Sequence, residues 1–188
     1  MRVLLLSLVV LFATPAVSGA TDREGEFLSR KEALELAFPE CALERRVFYP
    51  TDEDRKRASK LAGFEIDAKI FFVYVATREG QLVGTAWFDV HEVRTKKETL
   101  MLVVDPKRRV RRIELLAFAE PHDYIPRGSW YAQFVGKQLD DELALERGIK
   151  TVSGATLTAR ATTEAARRML ALHAIAFPSD PDSPPRAR

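Results

Sequence analysis

The chain of 188 residues holds a single cysteine, Cys41. One thiol excludes an intramolecular disulfide, a Cys-rich zinc site and an iron–sulfur centre, and without Cys-x-x-Cys-His there is no c-type haem. Nine glycines and ten prolines without any period exclude a collagen-like fibre. An excess of one charge is lacking too: 29 basic and 27 acidic residues leave a net charge of +2. That is too weak a field for a dedicated nucleic-acid binder, so no nucleic-acid partner is expected. There is no Gly-x-Ser-x-Gly elbow, no Walker loop and no Gly-x-Gly-x-x-Gly, so nothing reads as a hydrolase. His91, His122 and His173 are scattered, without i, i+4 pairing or a carboxylate at ligand spacing, and no metal site is expected. What is present is an ordinary globular balance, 46% hydrophobic and 30% charged, able to bury a core and offset chain entropy.

The first twenty residues, MRVLLLSLVVLFATPAVSGA, differ from the rest. Arg2 is a short positive start, Val3–Ala13 an uncharged apolar run, and Ser18-Gly19-Ala20 supplies the small residues that a signal peptidase reads. The pattern is that of a secretory signal peptide cleaved after Ala20. A retained anchor is the competing reading. The apolar run is about half of the roughly 20 residues a spanning helix needs, although Val3–Ala20 carries no charge. Either way the remainder is expected outside the cytoplasm, periplasmic in a Gram-negative cell. Cys41 does not follow the signal directly, so it is no lipoprotein cysteine, and a small buried apolar role suits it best.

Ser29-Arg30-Lys31-Glu32 has capping-box spacing ahead of Ala33, Leu34, Ala37 and Phe38, which predicts a short helix ended by Pro39. A second helix is expected from Thr51 to Ala62, stopped by Gly63. Lys69–Thr77 and Gln81–Val90 read as a hairpin across Arg78-Glu79-Gly80. Glu98–Val104 and Arg109–Phe118 read as a second pair across Asp105-Pro106-Lys107. Four strands on short connections predict an antiparallel meander. Ser129–Lys137 reads as helical, Asp140–Lys150 as polar loop, and a long helix starts at Thr158, with Ala161, Ala165, Met169 and Leu172 in one stripe. Four prolines mark Pro178–Arg188 as a disordered tail. The fold class is α+β: an antiparallel sheet flanked by N-terminal helices and a long C-terminal helix. The basic run Lys107–Arg112 reads as a solvated strand edge that discourages pairing with other chains, or as a docking patch for an acidic partner.

One segment stands apart. Thr151-Val152-Ser153-Gly154-Ala155-Thr156-Leu157-Thr158 carries four hydroxyls and a glycine immediately before a long amphipathic helix. The first N–H groups of a helix lack partners and carry partial positive charge, which favours a phosphate. Gly154 lets the backbone approach closely, and Ser153 and Thr158 can donate further hydrogen bonds. A plain N-cap, common wherever Ser and Thr precede a helix, explains the same residues.

Ser153-Gly154-Ala155-Thr156 followed by Leu157-Thr158 resembles the flavinylation motif of the FMN-binding domain family. That family includes the C subunit of the sodium-translocating NADH:quinone reductase and the G subunit of the Rnf electron-transport complex. The likeness extends, in the family's order, over Gln81–Ala86, Leu102–Asp105, Val110–Leu116, Phe118–Pro121 and Gln133–Lys137, or roughly residues 65–175. The resemblance implies FMN attached by phosphoester to Thr156, with Ser153, Gly154, Ala155, Leu157 and Thr158 around it and Glu120, Trp130, Tyr131 and Phe134 as residues that could line the ring. It also implies a separate FMN transferase for maturation and redox partner proteins at a membrane, the chain itself being a carrier or complex subunit and not a stand-alone enzyme. The implied domains are 1–20 (signal or anchor), 21–64 (N-terminal helical segment), 65–177 (FMN-binding domain) and 178–188 (tail). One departure is visible: Lys150 stands where the motif has Asp. Non-covalent FMN and a cofactor-free module of the same fold stay open on that ground, and an uncleaved segment 3–20 leaves open a sensory domain held at the membrane.

Overall fold

The computed structural model describes residues 27–178 and Ala187. The signal or anchor segment 1–20 and tail residues 179–186 and 188 lie outside the described residues. Helix α1 (Arg30–Ala37) and helix α2 (Asp52–Ala62) both open on complete capping boxes, Ser29 with Glu32 and Thr51 with Asp54. In each, side chain and backbone satisfy one another's free N–H groups, which fixes the helix start where the sequence places it. Gly63 ends α2 in the left-handed region.

Between these helices lies a strand that the sequence reading did not anticipate, β1 (Ala42–Phe48), so the segment 21–64 is not purely helical. Its residues are mostly exposed, with Glu44, Arg45 and Arg46 in the middle, so it lacks apolar alternation. Strands β2 (Phe71–Arg78), β3 (Gln81–Glu92), β4 (Lys97–Val104) and β5 (Val110–Phe118) follow. The five form one antiparallel meander in the order β1-β2-β3-β4-β5. Glu79 and Gly80 both have positive φ, the backbone twist that a tight two-residue hairpin demands.

The α+β expectation therefore holds, with one more strand. The stretch predicted as a helix over 129–137 is instead one helical turn, α3 (Gly128–Tyr131), running into a 3-10 turn at Ala132–Phe134. Trp130 and Phe134 sit four apart and still face one core, so the spacing was right while the helix was too long. Helix α4 (Thr156–Ala176) begins two residues earlier than expected.

The sheet has two covered faces. Phe48, Val73, Trp87, Leu100, Leu102, Val104 and Ile113 meet α2, α3 and α4 in the larger core. Ala76, Ala86, Met101, Val103 and Leu116 meet α1 in a smaller one. In β3 and β4 neighbouring residues serve opposite cores, as period-two geometry requires. The loop 140–150 is anchored by Leu143 and Ile149, both fully buried. Gly148 is needed there, because a Cβ would lie 2.3 Å from the Glu142 carbonyl. Among the described residues no helix is long and apolar enough to cross a membrane.

Candidate functional site

Residues 151–158 form a turn and the first turn of α4. The Val152 carbonyl accepts from the Ala155 N–H at 3.1 Å and from Thr156 Oγ1 at 3.2 Å. Gly154, at φ +83°, makes the turn possible, and its missing Cβ faces open space. Ala155 and Thr158 point inward, 3% and 1% exposed, while Ser153, Gly154, Thr156 and Leu157 face outward. Thr158 Oγ1 donates its proton to the Tyr124 carbonyl at 2.7 Å, so that hydroxyl pins the helix start to the segment before α3 and does not face a ligand.

The N-cap alternative fails at α4. Its N-cap residue is Ala155, and no side chain caps the helix. The first intrahelical bond runs from the Ala159 N–H to the Ala155 carbonyl, and the N–H groups of Thr156, Leu157 and Thr158 find no acceptor among the described residues. Four hydroxyls precede or open this helix and none of them caps it, whereas α1 and α2 are fully capped. Thr158 is buried, so the outward-facing set is the two free N–H donors of Thr156 and Leu157 beside the exposed Thr156 and Ser153 side chains.

Two grooves flank this set. One, of about 640 Å³, is lined by Ile125, Arg127, Trp130, Lys150, Val152 and Ser153 among others. The other, of about 340 Å³, is lined by Thr156 itself with Leu145, Thr151, Arg160, Thr163 and Glu164 among others. Trp130 is held over the entry to the motif: its indole N–H donates to the Lys150 carbonyl at 2.6 Å, while the Lys150 N–H donates to Gln133 Oε1 at 2.9 Å. The Lys150 side chain is exposed on the wall of the larger groove and makes no ion pair among the described residues, as is true of Arg127 and Arg160.

The other residues singled out from the sequence are not all drawn to this place. Phe134 is fully buried in the main core. Tyr131 lines a different groove, with Ile113 and Leu115, and its hydroxyl is a buried polar atom without a hydrogen-bond partner among the described residues. Burial, reinforced by the charge of Glu98, pushes that phenol well above its ordinary range. Glu120 is buried and accepts from the backbone N–H groups of Thr95 and Lys96 at 2.7 and 2.9 Å, so it braces the β3–β4 turn; it does not line either groove. Sequence reasoning missed Gln133 and Tyr124 as supports of the motif. For Tyr124 no signal existed, since it acts through its carbonyl.

A second polar cluster lies between the sheet and α4. His91 Nδ1 is 2.8 Å from Asp89 and its Nε2 is 2.9 Å from Glu98, its direct partner across the β3–β4 pair. Arg168 donates to Asp89 at 2.8 Å, and Thr162 reaches Glu98 at 3.3 Å. Burial alone would lower the His91 pKa, but the hydrogen bonds and charges of Asp89 and Glu98 outweigh it and raise it to about 9. His173 behaves oppositely: burial, helped by Arg108, brings it down to about 4, and its Nδ1 accepts from the Trp87 indole at 3.3 Å. Among the described residues no group of side chains is arranged to hold a metal ion.

The sequence model of the FMN-binding domain matches residues 72–171, from the start of β2 nearly to the end of α4. The chain belongs to the FMN-binding domain family. The matched range covers more than half of the protein and contains the whole 151–158 segment and both flanking grooves. Among solved structures, NqrC of Shewanella oneidensis is similar over 69% of this chain and 77% of its own, at 17% identity and a TM-score of 0.48. Comparison with curated protein sequences gives no match. The residues of this FMN-binding domain suit the group that the family name states: free N–H groups and hydroxyls for a phosphate, and a groove with an indole wall for a flat ring.

Proposed function

We propose that this protein is an exported electron carrier that bears FMN on Thr156 through a phosphoester. The observation that carries the reading is the uncapped start of α4, with the exposed N–H donors of Thr156 and Leu157 and the exposed Thr156 hydroxyl in one place, inside the matched family range. A helix start left open to solvent beside four hydroxyls is explained by an anion that completes it. Attachment is the work of a separate transferase. The Thr156 oxygen forms a bond to the FMN-side phosphorus of FAD, the pyrophosphate bond breaks, AMP leaves, and the hydroxyl proton passes to a base of that enzyme.

In the mature protein the residues have divided roles. The exposed N–H groups of Thr156 and Leu157 would bind the phosphate, assisted by Ser153, while Thr158 and Ala155 fix the helix start from within. Trp130, with Ile125 and Val152, lines the groove and would offer an apolar edge against which the ring could lie. FMN, when bound, supplies the capacity to take and give electrons; the chain sets orientation and polarity. The apolar segment 1–20 supports export, and a tether suits a compartment where a dissociated cofactor would be lost. Electrons would come from one redox protein and leave to another at the membrane.

Lys150, in place of the motif's Asp, favours a second reading in which the transferase fails and FMN is bound loosely or not at all. Co-expression with a flavin transferase, purification and gel filtration in denaturant separate the two. The account expects protein that stays yellow through denaturant and bleaches on reduction, with Thr156→Val colourless. Colour lost in denaturant would establish the looser mode, and colourless wild-type protein would remove the redox role.

A further inference from the structure

We propose that Arg160 is the side chain that neutralises and orients the nucleotide phosphate on Thr156, an assignment that rests on the function proposed above. Thr156 and Arg160 are four residues apart on α4, so they lie one above the other on the same helix face. Both line the same groove, of about 340 Å³. Helix α4 carries three arginines, and two are fully engaged. Arg167 donates to the carbonyls of Ala62 and Asp140 at 2.7 Å each and of Leu143 at 3.0 Å. Arg168 holds Asp89 and lies over the Phe64 ring. Arg160 is exposed and makes no hydrogen bond, ion pair or ring contact among the described residues. Glu164, one turn further along in the same groove, makes no ion pair with it.

A phosphodiester on Thr156 carries one negative charge on two non-bridging oxygens. The free N–H groups at the helix start address it along the axis, and a guanidinium one turn away can engage it from the side with a planar fork. Lys150 and Arg127 are the rival cations. Both line the opposite groove, which Thr156 does not line. Among the described residues Arg160 is thus the free cation that shares a wall with the attachment oxygen.

The test compares the full chain with and without flavin, using wild type, Arg160→Gln, Arg160→Lys and Lys150→Gln. Each is made with and without co-expressed transferase, and the thermal midpoint and the ³¹P resonance of the phosphoester are recorded. The expected result is a rise in midpoint on flavinylation of the wild type that is at least halved in Arg160→Gln and largely restored in Arg160→Lys. Lys150→Gln should keep the full rise, the flavin-free midpoints of the variants should match that of wild type, and the ³¹P resonance should move in Arg160→Gln alone. An Arg160→Gln chain that takes no flavin while its flavin-free midpoint is normal also supports the assignment. An undiminished rise with an unmoved resonance in Arg160→Gln overturns it, as does a lowered flavin-free midpoint, which would mark a structural role, or the loss appearing in Lys150→Gln instead. Wild type that takes no flavin fails the proposed function itself; flavin on Thr156 that ignores Arg160 fails this assignment only.

Discussion

His91 and His173 bracket the pH range over which the fold is most secure, and they do so from opposite sides. An unfolded histidine titrates near 6.5. His91, raised to about 9 by Asp89 and Glu98 after burial is outweighed, adds stability that is complete below pH 6.5 and is lost as pH rises through 9. His173, lowered to about 4 mainly by burial, adds stability that is complete above 6.5 and is lost as pH falls through 4. Each limb is worth roughly a few kcal/mol at its end. The thermal midpoint should therefore peak near pH 6.5, His91→Gln flattening the alkaline limb and His173→Gln the acid one. An alkaline limb unchanged in His91→Gln would show that the imidazole is not charged in the fold. Neither environment was legible in the sequence. The Glu98 carboxylate reaches His91 only through the β3–β4 register, seven residues away along the chain, and His173 meets Trp87 across the core. Thr158 gives the same lesson within the motif: its hydroxyl looked available, yet helical geometry turns it toward the Tyr124 carbonyl.

At the scale of elements, the start of α4 depends on α3 and its 3-10 turn. Trp130 and Gln133 between them take both backbone groups of Lys150, so the motif is entered from a fixed point, and Val152 and Ala155 complete the turn. Replacing Trp130 by Phe keeps an aromatic ring against Phe134, its edge-on neighbour at 5.2 Å, but removes the indole donor. The expected cost is about 2–3 kcal/mol in urea unfolding, about 1 from the hydrogen bond and the rest from the buried ring volume lost in the core, together with less complete flavin attachment. Unchanged stability would mean that the clasp on Lys150 is slack. Elements with local signals were readable: the Ser29–Glu32 capping box, the helix start at Thr51 and the Glu79-Gly80 hairpin lie where the sequence places them. Strand β1 was not, because an edge strand carrying Glu44, Arg45 and Arg46 has no apolar alternation and is defined by pairing with β2. The helix expected over 129–137 was overextended because residues four apart share a face in a helix and in a helical turn followed by a 3-10 turn alike.

For the molecule as a whole, the sheet is a scaffold with α4 laid across it, and the site is confined to one end of that helix. The basic run 107–112 falls on the turn before the edge strand β5 and on its first residues. Arg109 pairs with Asp105, Arg112 with Glu114, Arg111 donates to the Ala37 carbonyl and Arg108 to that of Phe177. Most of its charge is thus tied to the protein's own groups, which suits edge protection better than docking. Accessible positive charge lining the two grooves belongs to Arg127, Lys150 and Arg160, none of which stood out in the sequence as part of a run, with the exposed acids Asp123, Glu146 and Glu164 beside them. Trypsin digestion reads the phosphoester on Thr156 without relying on colour. Cleavage after Lys150 and Arg160 releases the peptide Thr151–Arg160, which holds the whole motif. From protein matured beside a competent transferase, that peptide should carry the added mass of one FMN less one water, with fragment ions placing it on Thr156. The same peptide recovered only in its unmodified form would rule the phosphoester out.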